Sequence, residues 1–106
     1  MSYRFHPAAE AEHLEVVAFY ESRRPGLGIA YLNEFEQVMT HVAQTPHRYR
    51  IERKPDIRRV SLVRFPFKLI FRDIGDSVQV LAVSHKRRRP EYWIGRLQSH
   101  AAAGSP

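Results

Sequence analysis

An α+β domain is what this chain predicts, on three observations. Two amphipathic helical stripes in the first half are joined by a short Pro-Gly break. From Asp56 the apolar period changes from that of a helix to two. Asp73-Ile74-Gly75-Asp76 then reads as a hairpin turn between two alternating runs. Helices first and strands afterwards, rather than interleaved, place the chain in the α+β class.

The elements follow in order. Tyr3-Arg4-Phe5 alternates apolar and polar residues and predicts a short first strand. Pro7 suits the first position of a helix, where its missing N–H costs nothing. That helix is expected from Ala8 to about Arg23, with Ala11, Leu14, Val17 and Ala18 on its buried stripe. Glu10 and Glu12 near its start and Arg23 and Arg24 at its end complement the macrodipole. Arg24-Pro25-Gly26-Leu27-Gly28 breaks it, and a second helix is expected from about Ile29 to Gln44, burying Leu32, Phe35, Met39 and Val42. Thr45-Pro46 ends it. So short a break makes the pair an antiparallel helical hairpin.

Val60 and Leu62 then alternate with Arg59 and Ser61, and Phe67, Leu69 and Phe71 with Lys68, Ile70 and Arg72. Val78, Val80 and Ala82 alternate with Gln79, Leu81 and Val83. The expected assembly is a three- to four-stranded antiparallel sheet: a three-stranded meander, with the N-terminal strand as the fourth. One face packs on the helical hairpin and the other is left partly open. Pleat geometry turns Phe67, Leu69 and Phe71 toward the helices and Lys68, Ile70 and Arg72 away from them. Residues 1–98 read as a single domain and residues 99–106, ending Ala-Ala-Ala-Gly-Ser-Pro, as a disordered tail.

With 106 residues and 43% apolar composition, the chain supports one modest core. It has no cysteine, which excludes disulfides, thiol nucleophiles and Cys-based zinc sites. The six histidines form neither HxxxH nor HExxH spacing, so no metal is expected. No Walker loop, dinucleotide fingerprint or Ser-His-Asp order is present, and no cofactor is expected. No run reaches the length of a membrane span, and Met1 to Pro7 lacks the apolar stretch of a signal peptide. Cytoplasmic residence is the expectation.

Charge is distributed unevenly. Residues 1–47 carry three basic and six acidic residues, net −3; residues 48–106 carry fourteen and five, net +9. One side of the molecule therefore suits an anionic partner. The densest segment is Ser84-His85-Lys86-Arg87-Arg88-Arg89-Pro90-Glu91-Tyr92-Trp93, where four cations follow a strand and precede two aromatic residues. Such a run suits phosphate contact with base stacking, or docking onto an acidic protein.

Four patterns, in order, carry a family resemblance: Phe19-Tyr20-Glu21 before Pro25-Gly26-Leu27-Gly28; Tyr31-Leu32-Asn33-Glu34-Phe35; Arg64-Phe65-Pro66-Phe67 with Leu69-Ile70-Phe71-Arg72; and His85 to Trp93. Over roughly residues 3–96 the chain resembles the RelE/ParE superfamily of bacterial toxins, the toxin halves of type II toxin–antitoxin modules. The Pro-Gly-Leu-Gly break and the Tyr-Leu-x-Glu-Phe helix are similar to the ParE-like branch. The resemblance implies a cognate antitoxin that folds on binding, and a bacterial target. In the ParE-like branch the target is DNA gyrase; in the RelE-like branch it is the ribosome, where mRNA is cleaved. A basic nucleic-acid-binding module without toxicity is a further reading.

The nuclease alternative would use His85, Lys68, Arg64 and Arg87. Lys68 stands where such enzymes carry a strand arginine, Arg87 at their second catalytic arginine and Trp93 at a C-terminal tyrosine. Lysine lacks the guanidinium fork that grips a phosphate, and tryptophan has no hydroxyl to supply a proton. His85 is suited to proton transfer, or is a strand-end histidine in an ordinary hydrogen bond. Arg72, Lys86, Arg88, Arg89, Tyr92 and Trp93 are expected to contact target or antitoxin. The alternatives are ion pairs for Arg64, Arg72, Arg88 and Arg89, and cover for the end of the sheet from Tyr92 and Trp93.

Overall fold

The structure, a computed structural model, describes residues 2–97; the tail expected at 99–106 lies outside them. Strand β1 (Ser2–Phe5) leads into helix α1 (Pro7–Arg23), then α2 (Leu27–Gln44) and a 3₁₀ turn (Pro46–Arg48). Strands β2 (Arg50–Arg53), β3 (Ile57–Ser61), β4 (Phe67–Asp73) and β5 (Ser77–His85) follow. His6 caps α1: its Nδ1 accepts the Ala8 N–H at 3.0 Å, with Pro7 at the first helical position.

The two helices approach closely at Gly28, where an added Cβ would lie 2.8 Å from the Val17 carbonyl oxygen. Gly26 enters α2 with φ 89°, a left-handed conformation that favours glycine. The Glu21 carboxylate, still on α1, accepts the Gly26 and Gly28 N–H groups at 2.9 and 3.0 Å. One helix thus supplies the cap that the start of the next lacks.

On α1 the buried face is Ala9, His13 and Val16, while Ala11, Leu14 and Ala18 of the expected stripe face solvent and Val17 is half-buried. The inward face was hidden by a polar residue. His13 shares a hydrogen bond with the Tyr31 hydroxyl at 2.9 Å, and its ring packs 4.3 Å from Phe35 and 5.0 Å from Phe5. A buried histidine with its polar atom satisfied behaves as a core residue. On α2, Phe35, Met39 and Val42 are buried as expected, joined by Tyr31; Leu32 is half-buried.

The sheet has five strands in the order β1-β5-β4-β3-β2, and it is mixed rather than antiparallel. Strand β1 pairs parallel with β5, Ser2 opposite Ser77 and Phe5 opposite Val80; the other pairs are antiparallel. A parallel neighbour needs a long connection, and everything between β1 and β5 provides it. The fifth strand, β2, escapes a hydrophobicity reading because Arg50-Ile51-Glu52-Arg53 is mostly charged, as an exposed edge tolerates.

Two cores result. The larger joins Ala9, Val16, Tyr31, Phe35, Met39 and Val42 of the helices to Leu69, Phe71, Val78, Val80 and Val83 of the sheet. The smaller, on the opposite face, is Ile57, Ile70, Leu81, Ala82 and Trp93, with Tyr92 and Leu97 against it. Alternation on β4 holds as expected. On β5 it does not: Ile70 pairs with Ala82 and Phe71 with Val80, leaving Leu81 as a bulge. Leu81 and Ala82 both turn to the smaller core, and every later side chain on β5 changes face.

Candidate functional site

The bulge decides where His85 goes. Uniform alternation would put it with Lys68, away from the helices. Instead His85 pairs with Phe67 on the helix side, ring edge to ring at 5.2 Å, and its Nδ1 accepts the Arg87 N–H at 3.0 Å. Lys68 pairs with Ser84 and points to the other face.

On that face Lys68 is half-buried and engaged. Its Nζ lies 3.3 Å from Glu52 Oε2, while Arg59 holds Oε1 at 2.7 Å. Burial opposes the ionisation of Glu52, but Arg59 and Lys68 together hold its carboxyl below the ordinary range. Arg72 shares the face, its Nε donating to Gln79 Oε1 at 3.0 Å. Its Nη2 is buried without a partner among the described residues. Burial lowers its pKa, against the opposing influence of Asp56.

Arg64 and Arg87 are exposed at the end of the sheet where β3 and β5 finish. The Val63 and Arg64 N–H groups are held by the Glu34 carboxylate, which fixes the β3–β4 loop to α2. Lys86 N–H donates to the Pro66 carbonyl at 2.9 Å, so the turn after β5 lies beside that loop. Lys86, Arg87 and Arg89 are exposed on this turn. Arg88 lays its guanidinium over the Tyr92 ring, 3.8 Å from the centroid. Trp93 is 1% exposed and fills the smaller core, so in this conformation it presents no ring to a partner.

Two residues that carry this arrangement are not among the expected site residues: Arg96, and Glu12, which the sequence suggests only as a partner of the helix macrodipole. Beyond Val80 the outer edge of β5 has no strand neighbour among the described residues, because β1 pairs only as far as Phe5. Side chains satisfy it instead. Glu12 accepts the Val83 N–H at 3.0 Å, the Tyr92 hydroxyl at 2.8 Å and Arg96 at 2.9 and 2.8 Å. Arg96 also donates to the Leu81 carbonyl at 2.8 Å. Burial opposes charge on Glu12, yet the bonds from Arg96, Tyr92 and Val83 hold its carboxyl below the ordinary range. Burial, reinforced by Glu12, pushes the Tyr92 phenol up to about 12. No local pattern marks this cluster, because Glu12 is separated from Val83, Tyr92 and Arg96 by most of the chain.

Beside the cluster, a groove of roughly 350 Å³ runs between α1 and the end of β5. Val16, Tyr20, Phe67 and Val83 line it, Phe19 stands half-exposed at its margin, and Glu12, Glu15, His85 and Arg88 supply its polar lining. Among the described residues no three His, Asp or Glu side chains converge as a metal site would require, and no helix is long and apolar enough to cross a membrane.

Comparison with known proteins bears on this geometry. A family model described as the ParE toxin of the type II toxin–antitoxin system parDE matches residues 3–90. No curated protein matches the chain. Among solved structures, a chain of the chromosomal ParDE toxin–antitoxin system from P. aeruginosa is similar at 20% identity with a TM-score of 0.69. The match covers 80% of this chain and 95% of that one. At that identity the likeness concerns the fold.

Proposed function

The chain belongs to the ParE toxin family of type II toxin–antitoxin systems, and from that membership we propose a growth inhibitor that acts on DNA gyrase. A ParDE pair implies a cognate antitoxin as its partner. The alternative, ribosome-dependent mRNA cleavage, requires a base and cations around one scissile phosphate. One observation weighs against it and so leaves the reading from family membership in front: the Leu81 bulge turns His85 and Lys68 to opposite faces of the sheet. Lys68 is also engaged by Glu52, which it shares with Arg59, and Trp93 offers no hydroxyl.

The antitoxin's anchor is the groove between α1 and β5. Its apolar floor accommodates one or two large side chains, and Arg88 at its side attracts acidic residues flanking them.

Expression in a susceptible bacterial host arrests growth, and co-expression of the antitoxin relieves it. Purified toxin impairs supercoiling by gyrase or traps cleaved DNA, and leaves mRNA intact in a translating extract. His85→Ala and Lys68→Ala retain the arrest. Codon-linked mRNA cleavage that both substitutions abolish would replace the gyrase reading with the nuclease one.

A further inference from the structure

Five cations of this protein are tied to carboxylates: Arg4 to Asp76, Arg53 to Glu91, Arg59 and Lys68 to Glu52, Arg96 to Glu12. Four are different. Among the described residues no carboxylate lies within ion-pair distance of the Arg64, Lys86, Arg87 or Arg89 side chains. All four are exposed, and the fold gathers them at one end of the sheet. Pairing of Phe67 with His85 and the bond from Lys86 N–H to the Pro66 carbonyl set the β3–β4 loop beside the turn after β5. The nearby Glu34 carboxylate is occupied by the Val63 and Arg64 N–H groups.

We propose that this rim — Arg64, Lys86, Arg87 and Arg89 — is a contact surface for the phosphate backbone of duplex DNA. Three features select that partner. The aromatic residues that would stack on bases are withdrawn, Tyr92 under Arg88 and Trp93 inside the smaller core, so a single strand finds no platform. The rim is nearly all charge, with Val63 its one exposed large apolar side chain. Protein interfaces centre on apolar anchors, whereas nucleic-acid interfaces are strongly positive. Three of the four cations are arginines, whose forks match phosphate oxygens. The antitoxin groove is a separate place: of these four residues none lines it. The inference does not depend on which macromolecule the toxin inhibits.

The test is a titration of purified toxin, free of antitoxin, into labelled duplexes of two unrelated sequences, each about 20 base pairs, between about 50 and about 200 mM salt. Binding is expected to be independent of sequence, with a log–log salt slope of about −3 to −4, close to 0.9 per phosphate contact. Arg87→Ala/Arg89→Ala lowers that slope by about 2, while Arg87→Lys/Arg89→Lys, which keeps the charge, retains it. Arg4→Ala/Lys54→Ala removes equal charge at the opposite end and leaves the slope unchanged. The proposal fails if no duplex binds at the lowest salt, or if the two alanine pairs act alike. It also fails if a single strand, or polyglutamate of matched charge, binds more tightly than the duplex.

Discussion

Trp93 shows how a single side chain can carry two incompatible expectations. Its place after a run of cations suits a docking ring, and its size suits a core. At 1% exposure against Ile57, Ile70, Leu81 and Ala82, it is the largest member of the smaller core. Trp93→Ala is expected to cost about 3–5 kcal/mol, measured as a lower midpoint in denaturant with unchanged slope. Because the chain has one tryptophan, its fluorescence reports this site alone. Emission should be blue-shifted and protected from acrylamide in the folded toxin; a water-exposed spectrum would contradict the burial. Lys68 was legible as a cation on the face away from the helices. Its partner Glu52 was not, because β2 was not recognised as a strand.

Strand β5 carries more of the architecture than its sequence suggests. Its bulge reverses the faces of everything after Leu81, and its unpaired edge is closed by Glu12, Tyr92 and Arg96. That closure joins α1 to the C-terminal segment and so holds the basic turn in place. The Glu12 carboxyl ionises more readily in the folded chain than in the unfolded one. Its contribution is therefore complete above the ordinary carboxylate value of about 4.3 and is lost as pH falls through the lower folded value. Glu12→Gln should cost about 2–3 kcal/mol near neutrality, since it leaves the Arg96 charge part-buried without its partner. That deficit should shrink as urea denaturation is repeated from about pH 7 down to about pH 3. A deficit constant over that range would mean that Glu12 acts through packing and not through charge. Helix α1 teaches a related lesson: its apolar stripe of Ala11, Leu14 and Ala18 is real but faces solvent, because His13 occupies the inward face with its hydrogen bond to Tyr31 satisfied.

In the molecule as a whole, the groove and the basic rim are neighbours with different chemistry. The groove is apolar with a charged lining; the rim is charge with little apolar surface. Phe19, 50% exposed and outside the larger core, tests the groove alone. Phe19→Ala should change unfolding free energy by less than about 1 kcal/mol while weakening the antitoxin complex by about 2 kcal/mol or more, roughly thirtyfold in Kd. Equal antitoxin affinity for both proteins would place the anchor elsewhere.

The α+β class, the helical hairpin, the three-stranded meander and the polarity of charge were all legible from periodicity, breaks and composition. Each is a local property: a helix stripe, a turn signal or a run of arginines is written within a few consecutive residues. The parallel pairing of β1, the bulge at Leu81, the edge closure by Glu12 and the burial of Trp93 were decided only in the tertiary structure. Each depends on which distant backbone or side-chain groups need a partner, and a strand edge or an inserted residue leaves no periodic trace. The basic run itself was plain in the sequence. Packing and pairing then set apart the cations that hold the fold together, and strand register gathered four unpaired ones on one rim, where they can meet an anionic partner.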